Sequence, residues 1–162
     1  MKKQIHTVEY LEYDHPSELE ERDLQLLVKA GEALSGSYAP YSHYHVGAAV
    51  RMADGTVVTG SNQENMSFPA GLCAERVAVF AAAAGHPGVP VESLAITASS
   101  ESFTVDEPVP PCGMCRQAIM EYEMKSGQPI RIILAGQTGK VFIFNGMRSL
   151  LPLAFEEKGL LK

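Results

Sequence analysis

The chain has 162 residues, 46% of them hydrophobic, and sets 13 Lys and Arg against 19 Asp and Glu for a formal net charge of −6. That length fits a single domain, 1–162, able to bury its own core, and no apolar run approaches the roughly 20 residues that cross a bilayer. No Lys/Arg cluster stands ready for a polyanion, so charge speaks against nucleic acid or a membrane as partner and for a small neutral substrate. The basic start, Met1 to His6, runs into Glu9, Glu12 and Asp14 without an apolar core, unlike a secretory signal. Free thiols suit a reducing compartment, and the expected localisation is cytoplasmic.

Residues 1–16 read as an N-terminal arm, with Ile5, Val8, Tyr10, Leu11 and Tyr13 at no clean period. Ser17 and Glu20 make a capping-box pattern ahead of Leu24, Leu27, Val28 and Leu34, which predicts a helix over 17–34. Gly36 closes it, a loop over 38–42 follows, and the apolar run 46–50 with 56–60 reads as two strands joined at Asp54-Gly55, a two-residue hairpin signal. An Ala-rich helix over 72–84 stops at Gly85 and Pro87, and 94–98 is a buried strand. Pro111, at a first helical position, opens a helix to about Lys125. Strands over 130–135 and 141–144 are joined by a link too short for a parallel crossover, so they pair antiparallel. A short helical stretch over 147–151 ends the pattern. The expected class is α/β: a three-layer α/β/α arrangement around a mixed five-stranded sheet, its last two strands antiparallel.

All three cysteines fall in two short clusters, Cys73-Ala74-Glu75 and Pro111-Cys112-Gly113-Met114-Cys115. Three thiolates suit a borderline-soft divalent ion and leave a tetrahedral ion one open position, the arrangement of a catalytic zinc. Both clusters sit at predicted helix starts, where free backbone N–H groups and the dipole stabilise thiolates. Glu75 is placed to move protons at the open position. Arg76 and Arg116, next to Glu75 and Cys115, are candidates to offset the anionic centre. Cys112-x-x-Cys115 alone also fits a redox pair or half a structural zinc knuckle; the first leaves Cys73 unexplained, and the second needs a fourth ligand such as His43, His45 or His86.

Tyr41-Ser42-His43-Tyr44-His45-Val46-Gly47-Ala48-Ala49, Asn62-Gln63-Glu64-Asn65, Cys73-Ala74-Glu75-Arg76 and Pro111-Cys112-Gly113-Met114-Cys115-Arg116-Gln117 together resemble the small homotetrameric cytidine deaminases of three-cysteine type, from about Gly31 to Phe155. The resemblance implies one Zn2+ per subunit on Cys73, Cys112 and Cys115. It implies attack of an activated water on C4 of cytidine or 2′-deoxycytidine, with Glu75 carrying protons to N3 and to the departing ammonia, in pyrimidine salvage. By position Asn62 and Glu64 hold the ribose hydroxyls, Ala74 meets the base through its backbone, Tyr44 stacks on the pyrimidine, and Phe155 reaches a neighbouring subunit's site. Gln63 stands where a small aliphatic residue is usual, Phe68 where tyrosine is common, and the arm has no counterpart in short family members. Two other readings stay open: a blasticidin-type aminonucleoside deaminase, and a non-catalytic zinc-stabilised interaction module.

Overall fold

Asp54 and Gly55 reverse the chain as their types suggest, though the loop holds three residues. Strand β2 (Tyr44–Met52) pairs antiparallel with β3 (Val57–Ser61), and Met52 closes on Thr56 around Ala53, Asp54 and Gly55. Gly55 supplies the positive φ of 89° that the last loop position demands. In the computed structural model, which describes residues 1–156, β2 also pairs antiparallel with β4 (Val91–Ser100). The pairing of β4 with β5 (Arg131–Ala135) is parallel, and β6 (Val141–Asn145) returns antiparallel along β5, as its short link requires.

The sheet has six strands, not the expected five. Leu11–Tyr13 of the arm forms β1, antiparallel to β6, and gives the order β1-β6-β5-β4-β2-β3. Three residues show no readable period, so the strand is set by its partner: Tyr10 packs on Phe142 and Phe144 at 4.8 and 5.2 Å between ring centroids, and Glu12 pairs with Lys140. An otherwise open β6 edge is thereby paired.

Alternation along the central strands sends side chains to two cores. Ala95 and Ile133 face α1 (Glu21–Ala33), where Leu26, Leu27 and Ala30 are buried. Leu94, Ile96, Ile132 and Leu134 face α2 (Ala74–Gly85) and α3 (Gly113–Ser126). Each such side chain contributes roughly 1.5–3 kcal/mol when fully buried. The first helix starts later than the capping box suggests. Residues Pro16–Glu18 make a single 3-10 turn, Ser17 Oγ lies 2.8 Å from His15 Nδ1, and Glu20 precedes α1 without a side-chain cap. The extended Leu19 between them is buried in the core, packed with Leu26, Leu27 and Ala30.

Gly60 of β3 fixes how closely α2 lies on the sheet. A Cβ there would stand 2.5 Å from Ala78 N and 2.7 Å from Ala74 O, so only glycine permits the contact. Among the described residues no helix is long and apolar enough to cross a membrane.

Candidate active site

Cys73 and Cys112 are the N-cap residues of α2 and α3, both extended and neither using its side chain to cap the helix. Helix α3 therefore begins two residues after Pro111, which lies outside it and not at the first helical position. The offset leaves Cys112 extended, with its thiol free to turn toward Cys115 in the first turn. The sulfurs of Cys73 and Cys112 are 3.8 Å apart, those of Cys112 and Cys115 3.5 Å, and all three lie within 4.8 Å of one another. A tetrahedral zinc with bonds of about 2.3 Å places its sulfurs about 3.8 Å apart, so the triangle has the size the ion needs. Among the described residues no histidine or carboxylate joins this group; His43 and His45 both contact Glu101.

The electrostatics point the same way. Cys73 is lowered to about 5, chiefly by the hydrogen bond from the Cys115 thiol, with Arg76 and Cys112 adding to it. Cys115 is pushed up by its bond to Cys73 and by burial. One negative charge is thus easily held among the three sulfurs and the next is not, and a dication removes that opposition. Arg76 Nη2 lies 3.8 Å from Cys73 Sγ and 3.5 Å from Gly71 O. Glu75, in the first turn of α2, is 5% exposed, and desolvation pushes its carboxyl upward, with charge on Cys73 adding to the shift. Ala74, between ligand and glutamate, is fully buried.

Cys73 and Cys112 open into a cavity of about 810 Å³ lined also by Tyr44, Asn62, Glu64 and Glu75 among others, with Cys115 buried behind them, so most of the residues singled out in the sequence share one site. Asn62 Oδ1 accepts from Ser37 Oγ and Val46 N, and its Nδ2 donates to Tyr44 O. Glu64 Oε2 accepts from the backbone of Tyr41 and Ser42 at 2.9 and 3.2 Å. The Ser42 hydroxyl and these N–H groups hold the Glu64 carboxyl below the usual carboxylate range.

Gln63 also reaches the cavity, and its amide donates to Gly36 O and Ser61 Oγ, bracing the segment between Asn62 and Glu64. Phe68 lines the wall with its ring edge toward Tyr41, 6.1 Å away.

Two predicted residues lie elsewhere. Arg116 donates to Pro111 O and Leu150 O, tying the loop before α3 to the C-terminal segment, while Arg76 is the arginine that contacts a thiol. Phe155 is exposed and lines no part of this cavity; its backbone is held at both N–H and C=O by the Gln117 amide. The expected final helix is one 3-10 turn, Met147–Ser149. Reading by residue type passed over Gln117, Met114 and the backbone donors of Tyr41 and Ser42. All four lie inside the quoted motifs, but a methionine and an amide among many name no role by type, and a backbone donor carries no side-chain signal.

The family model for the cytidine and deoxycytidylate deaminase zinc-binding region matches residues 20–127, a span containing all three cysteines and Glu75. Cytidine deaminase of Halalkalibacterium halodurans is 45% identical over 101 residues, 61% of this chain and 71% of that protein. The Sporosarcina psychrophila cytidine deaminase is 36% identical over 138 residues, covering 84% and 93% respectively. The crystal structure of cytidine deaminase from Burkholderia pseudomallei aligns with TM-score 0.71 and 34% identity over 85% of this chain and 100% of its own. A thiol triangle of zinc dimensions and sequence matches that run through both cysteine clusters place this chain in the cytidine and deoxycytidylate deaminase family of zinc enzymes.

Proposed function

We propose that the protein hydrolyses cytidine and 2′-deoxycytidine to uridine and 2′-deoxyuridine plus ammonia. The observation that carries this reading is the buried Glu75 carboxyl beside three thiols, in one cavity with the polar pair Asn62 and Glu64. Cys73, Cys112 and Cys115 would hold the zinc ion, which when bound would supply an acidified water. Glu75 would take one proton of the water and give it to N3 as oxygen adds to C4, then take the remaining proton from the oxygen now on C4 and give it to the amino group, which leaves as ammonia as the C4–N bond breaks. Arg76 offsets the charge of the thiolates from Cys73's side. Arg116 acts at one remove, by holding the loop that presents Cys112.

Asn62 has spent both acceptor positions and one amide hydrogen on the chain, which leaves one Nδ2 hydrogen for a ribose hydroxyl. Glu64 keeps Oε1 for another. Tyr44 stacks on the pyrimidine and the Ala74 backbone meets its edge. In this reading the chain works as a homotetramer in cytoplasmic pyrimidine salvage, and Phe155, exposed and clasped by Gln117, projects into a neighbouring subunit's cavity.

Incubating the zinc-loaded protein with cytidine and following absorbance, uridine and ammonia tests the reading. Stoichiometric uridine and ammonia are expected. A zinc-replete protein that produces neither refutes it, and turnover of blasticidin S in place of cytidine would reassign the substrate.

A further inference from the structure

Tyr44, the ring assigned above to the base, is held by the segment that directly follows β4. Ser100, the last residue of β4, stands opposite Tyr44 in register. The chain turns after it, with Ser102 N donating to Ser100 Oγ, and Phe103 lays its ring beside that of Tyr44, 6.1 Å between centroids and 30° between planes. The preceding residue of the same segment but one, Glu101, reaches both neighbours of Tyr44. Its Oε2 lies 3.3 Å from His43 Nδ1, its Oε1 3.2 Å from His45 Nε2, and its backbone N–H donates to His43 O at 3.2 Å.

Tyr44 lines the cavity; Phe103 does not, and it is 59% exposed. An exposed aromatic ring would by itself mean nothing. His43, however, holds φ at +54°, a conformation costly for a residue with a Cβ and kept only where surrounding contacts over-determine it. Alongside His43 N donating to Ala39 O and Asn62 Nδ2 donating to Tyr44 O, the contacts from residues 101–103 converge on three consecutive residues whose middle member faces the cavity.

We infer that residues 101–103 are a positioning clamp for Tyr44, with Phe103 setting the tilt of its ring against the pyrimidine. The inference rests on the reading of Tyr44 as the stacking residue. Phe103 touches no reacting atom, so its effect passes through Tyr44 alone. A stack on the base is present in the ground state and the transition state alike, so disturbing it raises KM and spares kcat.

The test is steady-state kinetics with cytidine on zinc-loaded wild type, Phe103→Ala, Phe103→Tyr, Tyr44→Ala and the double variant Phe103→Ala/Tyr44→Ala. Expected for Phe103→Ala is a KM raised about three- to tenfold, the range an aromatic pair supports, with kcat within about twofold. Phe103→Tyr restores the wild-type KM, and Phe103→Ala adds nothing once Tyr44 is alanine. An unchanged KM in Phe103→Ala, a fall in kcat alone, or a full further loss in the double variant overturns the clamp while leaving the substrate reading intact. A wild type that leaves cytidine unchanged overturns that reading, and the clamp with it.

Discussion

The thiol pole and the pocket rim of the same cavity are held in different ways. At the pole, Cys73, Glu75, Cys112 and Cys115 ride on the first turns of two helices whose bodies are packed in the core, so helix geometry fixes each group. At the rim, Asn62, Glu64 and Tyr44 are fixed by hydrogen bonds and ring contacts between segments distant in sequence: Ser37 and Val46 to Asn62, Tyr41 and Ser42 to Glu64, Phe103 to Tyr44. On the proposed reading, the chemistry sits on helix starts packed in the core and substrate selection on contacts between separate segments. A change at the pole is expected to destroy the site, whereas one at the rim retunes it.

Five experiments sharpen this contrast. Cys115→Ala removes a buried ligand and with it the metal; zinc content by atomic absorption should fall to background and the melting temperature by roughly 10 °C or more. Chelator treatment of the wild type should give the same loss of activity, restored by adding zinc back. Glu75→Gln keeps the shape of the pole and loses its proton carrier; zinc should remain stoichiometric while kcat drops about 10²- to 10⁴-fold. Glu64→Ala removes a charged acceptor from the rim. KM for cytidine should rise about tenfold or more, as loss of a hydrogen bond to a charged group of about 1.5–3 kcal/mol requires; an unchanged KM would detach Glu64 from ribose binding. The smallest effect is expected from deleting residues 1–13, which uncovers the β6 edge: melting should drop by a few degrees with kcat and KM intact. Loss of catalysis on that deletion would mean that the arm reaches the site.

How much of this could be read in the sequence follows the same division. The metal triangle and Glu75 were legible because their spacing is local and their residue types are rare, and the hairpin was legible because Asp-Gly has few uses. The start of α1 was not. Ser17 and Glu20 carry the residue types of a capping box, but Ser17 Oγ is engaged with His15 Nδ1 and the chain is extended at Leu19, so the helix begins at Glu21. The sixth strand was illegible because three residues beside an edge take their conformation from β6. Arg116 and Arg76 look equivalent in sequence, each one residue from a site group. One turns to two carbonyls and the other to a thiol, a difference that depends on where Leu150 and Gly71 lie.

Gly60 touches neither metal nor substrate, yet its missing Cβ sets the spacing between the sheet and the helix that begins at Cys73. Cys112 and Cys115 ride on a different helix, so any displacement of α2 changes the two sides of the sulfur triangle that meet at Cys73 and leaves the other two ligands where they were. A packing lesion in the sheet would then present itself as weak metal affinity. Activity alone would not tell it from a damaged ligand; the charge-transfer spectrum of a cobalt-substituted protein, which counts thiolates on the metal, would.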